Sequence, residues 1–177
     1  MSSFAWFPQI TATYILLGFA PFFIWKAVSF IKNEKAMLII EYAVFAVIFA
    51  LICVFFAFND TLTLYGKTYE FALYQKFLIP SICLLFFLVI IFFNLLIKKK
   101  FDKDDFGINI YQISFIVFIS EVLVNFLFGG LMKAWAFGWD MLLAIYICQA
   151  IVMFFNIPYN SYLIFVIMKI SKRFLEK

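Results

Sequence analysis

The sequence has no histidine, one arginine and only three cysteines among its 177 residues. Histidine is the commonest metal ligand and the commonest general base near neutral pH, so its absence disfavours metal centres and most acid–base catalysis. Cys53, Cys83 and Cys148 lie singly in three separate apolar runs, which excludes the paired spacing of zinc and dithiol motifs. We therefore expect no metal, no cofactor and no enzymatic activity.

Charge is also scarce, because 14% of the residues are charged whereas 67% are hydrophobic. A soluble domain has roughly 25% charged residues, and the mean hydropathy of +1.08 leaves little room for an aqueous domain. We expect residues 1–177 to form a single integral domain of a multi-pass protein in the cell membrane. The net charge of +4 lies in short connections and not on a basic surface, so nucleic acid is not an expected partner.

Five apolar runs are long enough to cross a bilayer as helices, which needs roughly 20 residues each. The sequence predicts an all-α membrane protein with spans at residues 11–30, 37–58, 77–97, 108–130 and 141–168. The polar segment 59–76 fits a short hairpin or an interfacial helix. The last run fits one kinked span, with a re-entrant pair broken at Pro158 as the alternative.

The basic residues predict an orientation for this bundle. Three groups, at residues 26–35, 98–103 and 169–177, fall on one side of a five-span protein. Only Lys67, Lys76 and Lys133 fall on the other side. By the positive-inside rule, we expect the N-terminus outside and the C-terminus in the cytoplasm.

The fourth apolar run contains an acid, Glu121, near its middle. At helical spacing, its polar and small residues form one stripe along the helix: Gly107, Tyr111, Ser114, Phe118, Glu121, Asn125 and Gly129. Such a stripe faces protein or a cavity and not lipid.

Amides of the fifth run are the expected partners of this stripe. We expect Glu121 to share hydrogen bonds with Gln149, which reaches a similar depth, and with Asn125. Nearer the cytoplasm, the side chains that could meet across the same two spans are Asn109, Gln112, Asn156 and Asn160.

Two hypotheses explain Glu121. It is either a proton- or cation-responsive group or ligand anchor, or a neutral side chain that fixes helix register. The other acids near the spans are scattered, with Glu34 and Glu41 on the cytoplasmic side and Asp60, Glu70 and Asp140 outside, so no paired carboxylates indicate a hydrolase.

The second run contains a stripe of small side chains at spacings of three and four: Ala43, Ala46, Ala50, Cys53 and Ala57. Small residues let helices approach closely in a bilayer, so this stripe predicts a helix–helix interface. The interface is expected either within the chain or with a neighbouring subunit.

Three functions fit these features. The first, which the helix-packing stripe favours over the other two, is a membrane subunit or scaffold. It forms a homo-oligomer or binds another membrane or cytoplasmic protein through its helices and basic cytoplasmic loops. The second is a transport component, a channel or solute-binding subunit, with a polar cavity between spans 4 and 5 around Glu121. The third is a membrane sensor or effector of microbial defence. Membrane lipids are expected partners in each case.

Overall fold

The computed structural model describes residues 8–28, 30, 33–101 and 110–175. Within these residues the helices are α1 (Pro8–Val28), α2 (Glu34–Phe58), α3 (Leu73–Phe101), α4 (110–137) and α5 (Leu142–Leu175). A two-stranded hairpin, β1 (Thr61–Leu64) and β2 (Lys67–Glu70), joins α2 to α3. Five predicted residues lie outside the described parts of the chain: Lys32, Lys103, Gly107, Asn109 and Lys177.

In the described ranges, five helices are long and apolar enough to cross a membrane. Their crossing segments are Thr11–Val28, Glu34–Phe58, Leu73–Leu96, Tyr111–Phe137 and Trp139–Ile167. By length and composition this is the architecture of a multi-pass membrane protein. The predicted all-α bundle therefore has five helices as expected, with one small hairpin added at one end.

Two helices begin earlier than predicted because capping groups extend them. The Asn33 side chain caps α2 by accepting a hydrogen bond from the Ala36 N–H, so the helix begins at Glu34 and not at residue 37. The Gln75 side chain accepts the Ala72 N–H at 2.9 Å and fixes the start of α3, four residues before the predicted boundary.

The sequence allows either a hairpin or an interfacial helix between α2 and α3. The structure has the hairpin. Tyr65 and Gly66 both have positive φ, at 51° and 73°, as the central residues of a type I′ turn require. The Tyr65 N–H donates to the Met141 sulfur, and the Tyr65 ring packs edge-on against Phe137 at 4.8 Å. These contacts attach the hairpin to the connection between α4 and α5, and we call this end of the bundle the hairpin end.

Helix α4 is the centre of the bundle, with contacts to every other helix. It consists of Ile110–Ser120 in α conformation, Glu121–Phe128 in π conformation and Gly129–Phe137 in α conformation. The prediction that this span ends at residue 130 was wrong. A glycine pair often ends a helix in water, but here Gly129 and Gly130 are buried between helices and the helix continues to Phe137.

Helix α5 is continuous from Leu142 to Leu175, with Pro158 inside it, so the re-entrant pair does not occur. The core of the bundle is aromatic and aliphatic. Phe45 of α2, Phe118 of α4 and Phe154 of α5 meet there, with ring centroids 5.1 to 5.4 Å apart.

Candidate functional site

Glu121 is buried where α4 and α5 face each other, with 3% of its surface exposed. Its Oε2 accepts a hydrogen bond from Asn125 Nδ2 at 2.9 Å, and its Oε1 accepts one from Asn160 Nδ2 at 3.2 Å. Asn125 belongs to the same helix and Asn160 to α5. Two amide donors thus fix the carboxyl group between two spans.

A π-helical segment, Glu121–Phe128, begins at Glu121 and contains Asn125. Its hydrogen bonds run from i to i+5, so its turn is wider than that of an α-helix. Single π turns occur frequently at functional sites.

A cavity of about 490 Å³ lies between α1, α4 and α5. Ser120, Glu121 and Asn160 form its polar part. Its other walls are apolar and come from all three helices: Leu17, Pro21, Phe22, Trp25, Ile113, Ile116, Val117, Leu163 and Ile164. The volume is within the range of about 300 to 1,000 Å³ of small-molecule sites.

The cavity opens sideways between α1 and α5. Phe22 and Trp25 line it and are also 62% and 43% exposed on the flank of the bundle. Leu163 and Ile164 of α5 border it in the same way, with 42% and 39% exposed. The polar group around Glu121 therefore borders a cavity that opens on the apolar flank of the bundle.

The predicted hydrogen bond between Glu121 and Gln149 is wrong. Gln149 lies eleven residues before Asn160 on α5, roughly 16 Å closer to the hairpin end at 1.5 Å per residue. It is buried beside Gly130, and its amide nitrogen and oxygen have no partner among the described residues. The sequence misplaced it because α4 extends a further seven residues past Gly130, which shifts the register between the two helices.

One further expectation about α5 differs from the structure. Asn160, which was expected nearer the cytoplasmic end, is the residue that reaches Glu121. Asn156, one turn earlier on the same helix, is half-buried. Of the two partners predicted for this pair, Gln112 is half-buried on α4 and Asn109 lies outside the described residues.

Lys133 lies inside α4 and not in a connection. It is half-buried, and its ammonium group interacts electrostatically with Glu121. In the described parts of the chain it makes neither a hydrogen bond nor an ion pair with that carboxyl group. Lys133 does not line the cavity.

Ser114 belongs to a different polar group, together with Glu41, which was predicted to be one of the scattered acids. Its hydroxyl donates to Glu41 Oε1 at 2.9 Å, and Glu41 is fully buried within α2. Glu41 Oε2 has no partner among the described residues. The signal was present in the sequence, since Glu41 lies at helical spacing between Met37 and Phe45 on the buried face of α2.

Helix α3 contributes Asn94 to the same region. Asn94 is 1% exposed, donates to the Tyr42 hydroxyl at 3.1 Å and accepts the Tyr111 hydroxyl at its backbone oxygen at 3.4 Å. Tyr42 is adjacent to Glu41 in sequence, and Tyr111 precedes Ser114 by one helical turn. Polar residues of α2, α3 and α4 therefore meet two turns of α4 away from Glu121.

The small-residue stripe of α2 faces outward. Ala43, Ala46, Ala50 and Ala57 are exposed and Cys53 is half-buried. The opposite face of α2 packs on the bundle through Phe45, Ile48, Ile52 and others. Among the described residues, the four alanines of this stripe are therefore not covered by another helix of the chain.

The acids at the hairpin end do not converge. Asp60 forms an ion pair with Lys76, whereas Asp140 lies beside Gly138 in the connection between α4 and α5. In the described residues, no group of three or more Cys, Asp or Glu side chains has the geometry to hold a metal ion.

No protein-family model, curated protein or solved structure matches this chain. The site must therefore be interpreted from its own chemistry. A carboxyl group and amides at one side of a mainly apolar cavity can bind and orient a small amphipathic molecule.

Proposed function

We propose that this protein is a transport component of the membrane that binds a small, mainly apolar molecule in the cavity between α1, α4 and α5. The observation that supports this function is the position of Glu121 and Asn160 in the wall of that cavity. An acid inside a membrane is costly and is typical of substrate and ion pathways. The apolar walls supply contact area, and the polar pair orients the ligand.

The sideways opening favours a ligand that arrives through the bilayer. Phe22 and Trp25 belong both to the cavity and to the exposed flank of α1, which faces acyl chains in a membrane. A molecule dissolved in the hydrocarbon reaches the cavity without crossing an aqueous surface. Pro21 removes one backbone hydrogen bond from α1 at this border, and proline in a helix interior favours a kink.

Purification with native lipids tests this function. The protein is extracted in nanodiscs, and small molecules bound to it are counted by native mass spectrometry and identified after organic extraction. Ile116→Trp fills the cavity, whereas Leu123→Trp adds the same bulk on the exposed side of the same helix. We expect about one ligand per chain in the wild type and in Leu123→Trp, and none in Ile116→Trp. Equal occupancy of all three proteins, or an empty wild type, would contradict the proposal.

Self-assembly through α2 is the second candidate function. Its support is the outward position of the small-residue stripe, which leaves room for close approach of a second helix. The molecule would then be a subunit or scaffold, with the cavity at a distance from the interface. The two candidates are compatible, since a transport component can also be an oligomer.

Counting subunits tests the assembly. Ala46→Leu with Ala50→Leu makes the stripe bulky, whereas Val47→Leu enlarges an exposed residue beside it. We expect an oligomer for the wild type and Val47→Leu and a monomer for the double variant, by native mass spectrometry from nanodiscs. A monomeric wild type refutes this candidate.

A further inference from the structure

We infer that the cavity selects cationic amphiphiles, with an ammonium group placed against Glu121 and an alkyl or aryl body between α1 and α5. This inference rests on the proposed function and names its ligand class. It follows from the hydrogen-bonding state of the three polar residues that line the cavity, Ser120, Glu121 and Asn160.

The hydrogen-bond donors of this polar wall are largely occupied by the protein. The Ser120 hydroxyl donates to the backbone oxygen of Ile116 at 2.7 Å. Asn160 Nδ2 and Asn125 Nδ2 both donate to Glu121. The groups of this wall that can still form hydrogen bonds are mainly acceptors. They are the Glu121 carboxyl oxygens, the Asn160 side-chain oxygen and the Ser120 oxygen. A ligand that suits this wall must bring donors.

The charges of the wall favour the same ligand. Among the described residues that line the cavity, Glu121 is the only ionisable one, and none is a lysine or an arginine. A carboxylate or phosphate head would meet acceptors and no cation in the described wall, which is unfavourable in a low-dielectric site. An ammonium group offers three donors and no acceptor, and hydrogen bonds between ionised partners are about twice as strong as neutral ones.

Lys133 interacts electrostatically with Glu121 from within the bundle. It lies twelve residues further along α4, makes no ion pair with Glu121, and is not in the cavity wall. The cavity side of Glu121 is thus open to an external cation. Trp25 and Phe22 at the opening add aromatic faces, which attract cations.

Three probes of equal chain length test the ligand class: decylamine, decanol and decanoate. Binding of each to the full-length protein in phosphatidylcholine nanodiscs is measured at pH 7 by native mass spectrometry. Glu121→Gln removes the acid with little change of shape, and Glu41→Gln is the matched control, a buried acid that does not line the cavity. Retained helicity and a single gel-filtration peak show that each variant is folded.

We expect decylamine to bind once per chain to the wild type and to Glu41→Gln, and about tenfold more weakly to Glu121→Gln. Decanol and decanoate should bind the wild type at least about tenfold more weakly than decylamine. If all three probes bind equally, or decanoate binds best, the cationic class is wrong although the cavity still binds ligands. If none binds and Ile116→Trp behaves as wild type, the proposed function itself is wrong.

Discussion

Among the described residues, Glu41 has one hydrogen-bond donor, the hydroxyl of Ser114, although its side chain is fully buried. A buried polar atom that loses its partner keeps the cost of desolvation and loses the bond. The spacing of Glu41 with the apolar residues of α2 was visible in the sequence, but its donor was not. Pairing of a side chain on one helix with a hydroxyl on another depends on how the two helices are rotated.

Ser114→Ala should therefore destabilise the protein. We expect a loss of about 1 to 2 kcal/mol in the free energy of unfolding, since the Glu41 carboxyl group would have no donor left. Ser120→Ala is the control, because the Ser120 hydroxyl donates only to the backbone of its own helix, at Ile116. It should change stability by less than about 0.6 kcal/mol. Reversible unfolding in mixed micelles measures both, and equal losses would refute the role of Ser114.

The cluster around Glu121 shows the limit of prediction at the scale of single residues. Glu121 and Asn125 follow from helical spacing alone, because both lie on one helix. The third member, Asn160, comes from another helix, and the sequence indicated Gln149 instead. The end of the fourth span was predicted seven residues too early. Because each helical residue adds 1.5 Å of height, this error changes which residues of the next helix lie level with Glu121.

Among the elements, α4 depends on close contact at Gly130. A Cβ atom at this position would lie 2.6 Å from the ring of Tyr146. The ring has little freedom to move aside because the Tyr146 hydroxyl donates to the backbone oxygen of Leu127 at 3.1 Å. Gly130 thus serves helix packing between α4 and α5 and not helix termination.

Gly130→Ala should force α4 and α5 apart. We expect a destabilisation of about 1 to 3 kcal/mol, as for overpacked cores. Gly18→Ala is the matched control, since a Cβ there meets no atom within 4 Å. Because alanine has the higher helix propensity, that variant should be neutral or more stable by up to about 1 kcal/mol. Thermal unfolding in detergent compares them, and similar melting temperatures would contradict the packing role.

The hairpin is an element that local sequence decides. Its two-residue turn needs positive φ at Gly66, a conformation that asparagine tolerates and β-branched residues avoid. Strand register then pairs Thr61 with Glu70 and Leu64 with Lys67.

Gly66→Val should open the hairpin without unfolding the bundle. The strained turn costs about 1 to 2 kcal/mol, so amide hydrogen exchange in β1 and β2 should rise roughly five- to thirtyfold. Gly66→Asn should exchange at nearly the wild-type rate. Hydrogen exchange followed by mass spectrometry resolves the segment. Unchanged exchange in the valine variant would show that the turn does not limit hairpin stability.

For the whole molecule, an odd number of crossings places the two termini on opposite sides of the membrane. The basic residues then predict that the C-terminus is cytoplasmic and the hairpin lies outside. A green fluorescent protein fused after Lys177 should fluoresce, and alkaline phosphatase inserted after Gly66 should be active. The opposite pattern would invert the orientation. Loss of signal at one site only would contradict the five-span topology.

The sequence by itself determined the five apolar helices, the acid inside the fourth one and the absence of histidine. These follow from hydrophobicity and composition, which act residue by residue and need no knowledge of neighbours. The tertiary structure decided that Asn160 binds Glu121, that Glu41 is buried against Ser114 and that the small-residue stripe of α2 faces outward. Those facts depend on the rotation and relative height of packed helices, which local sequence patterns do not specify.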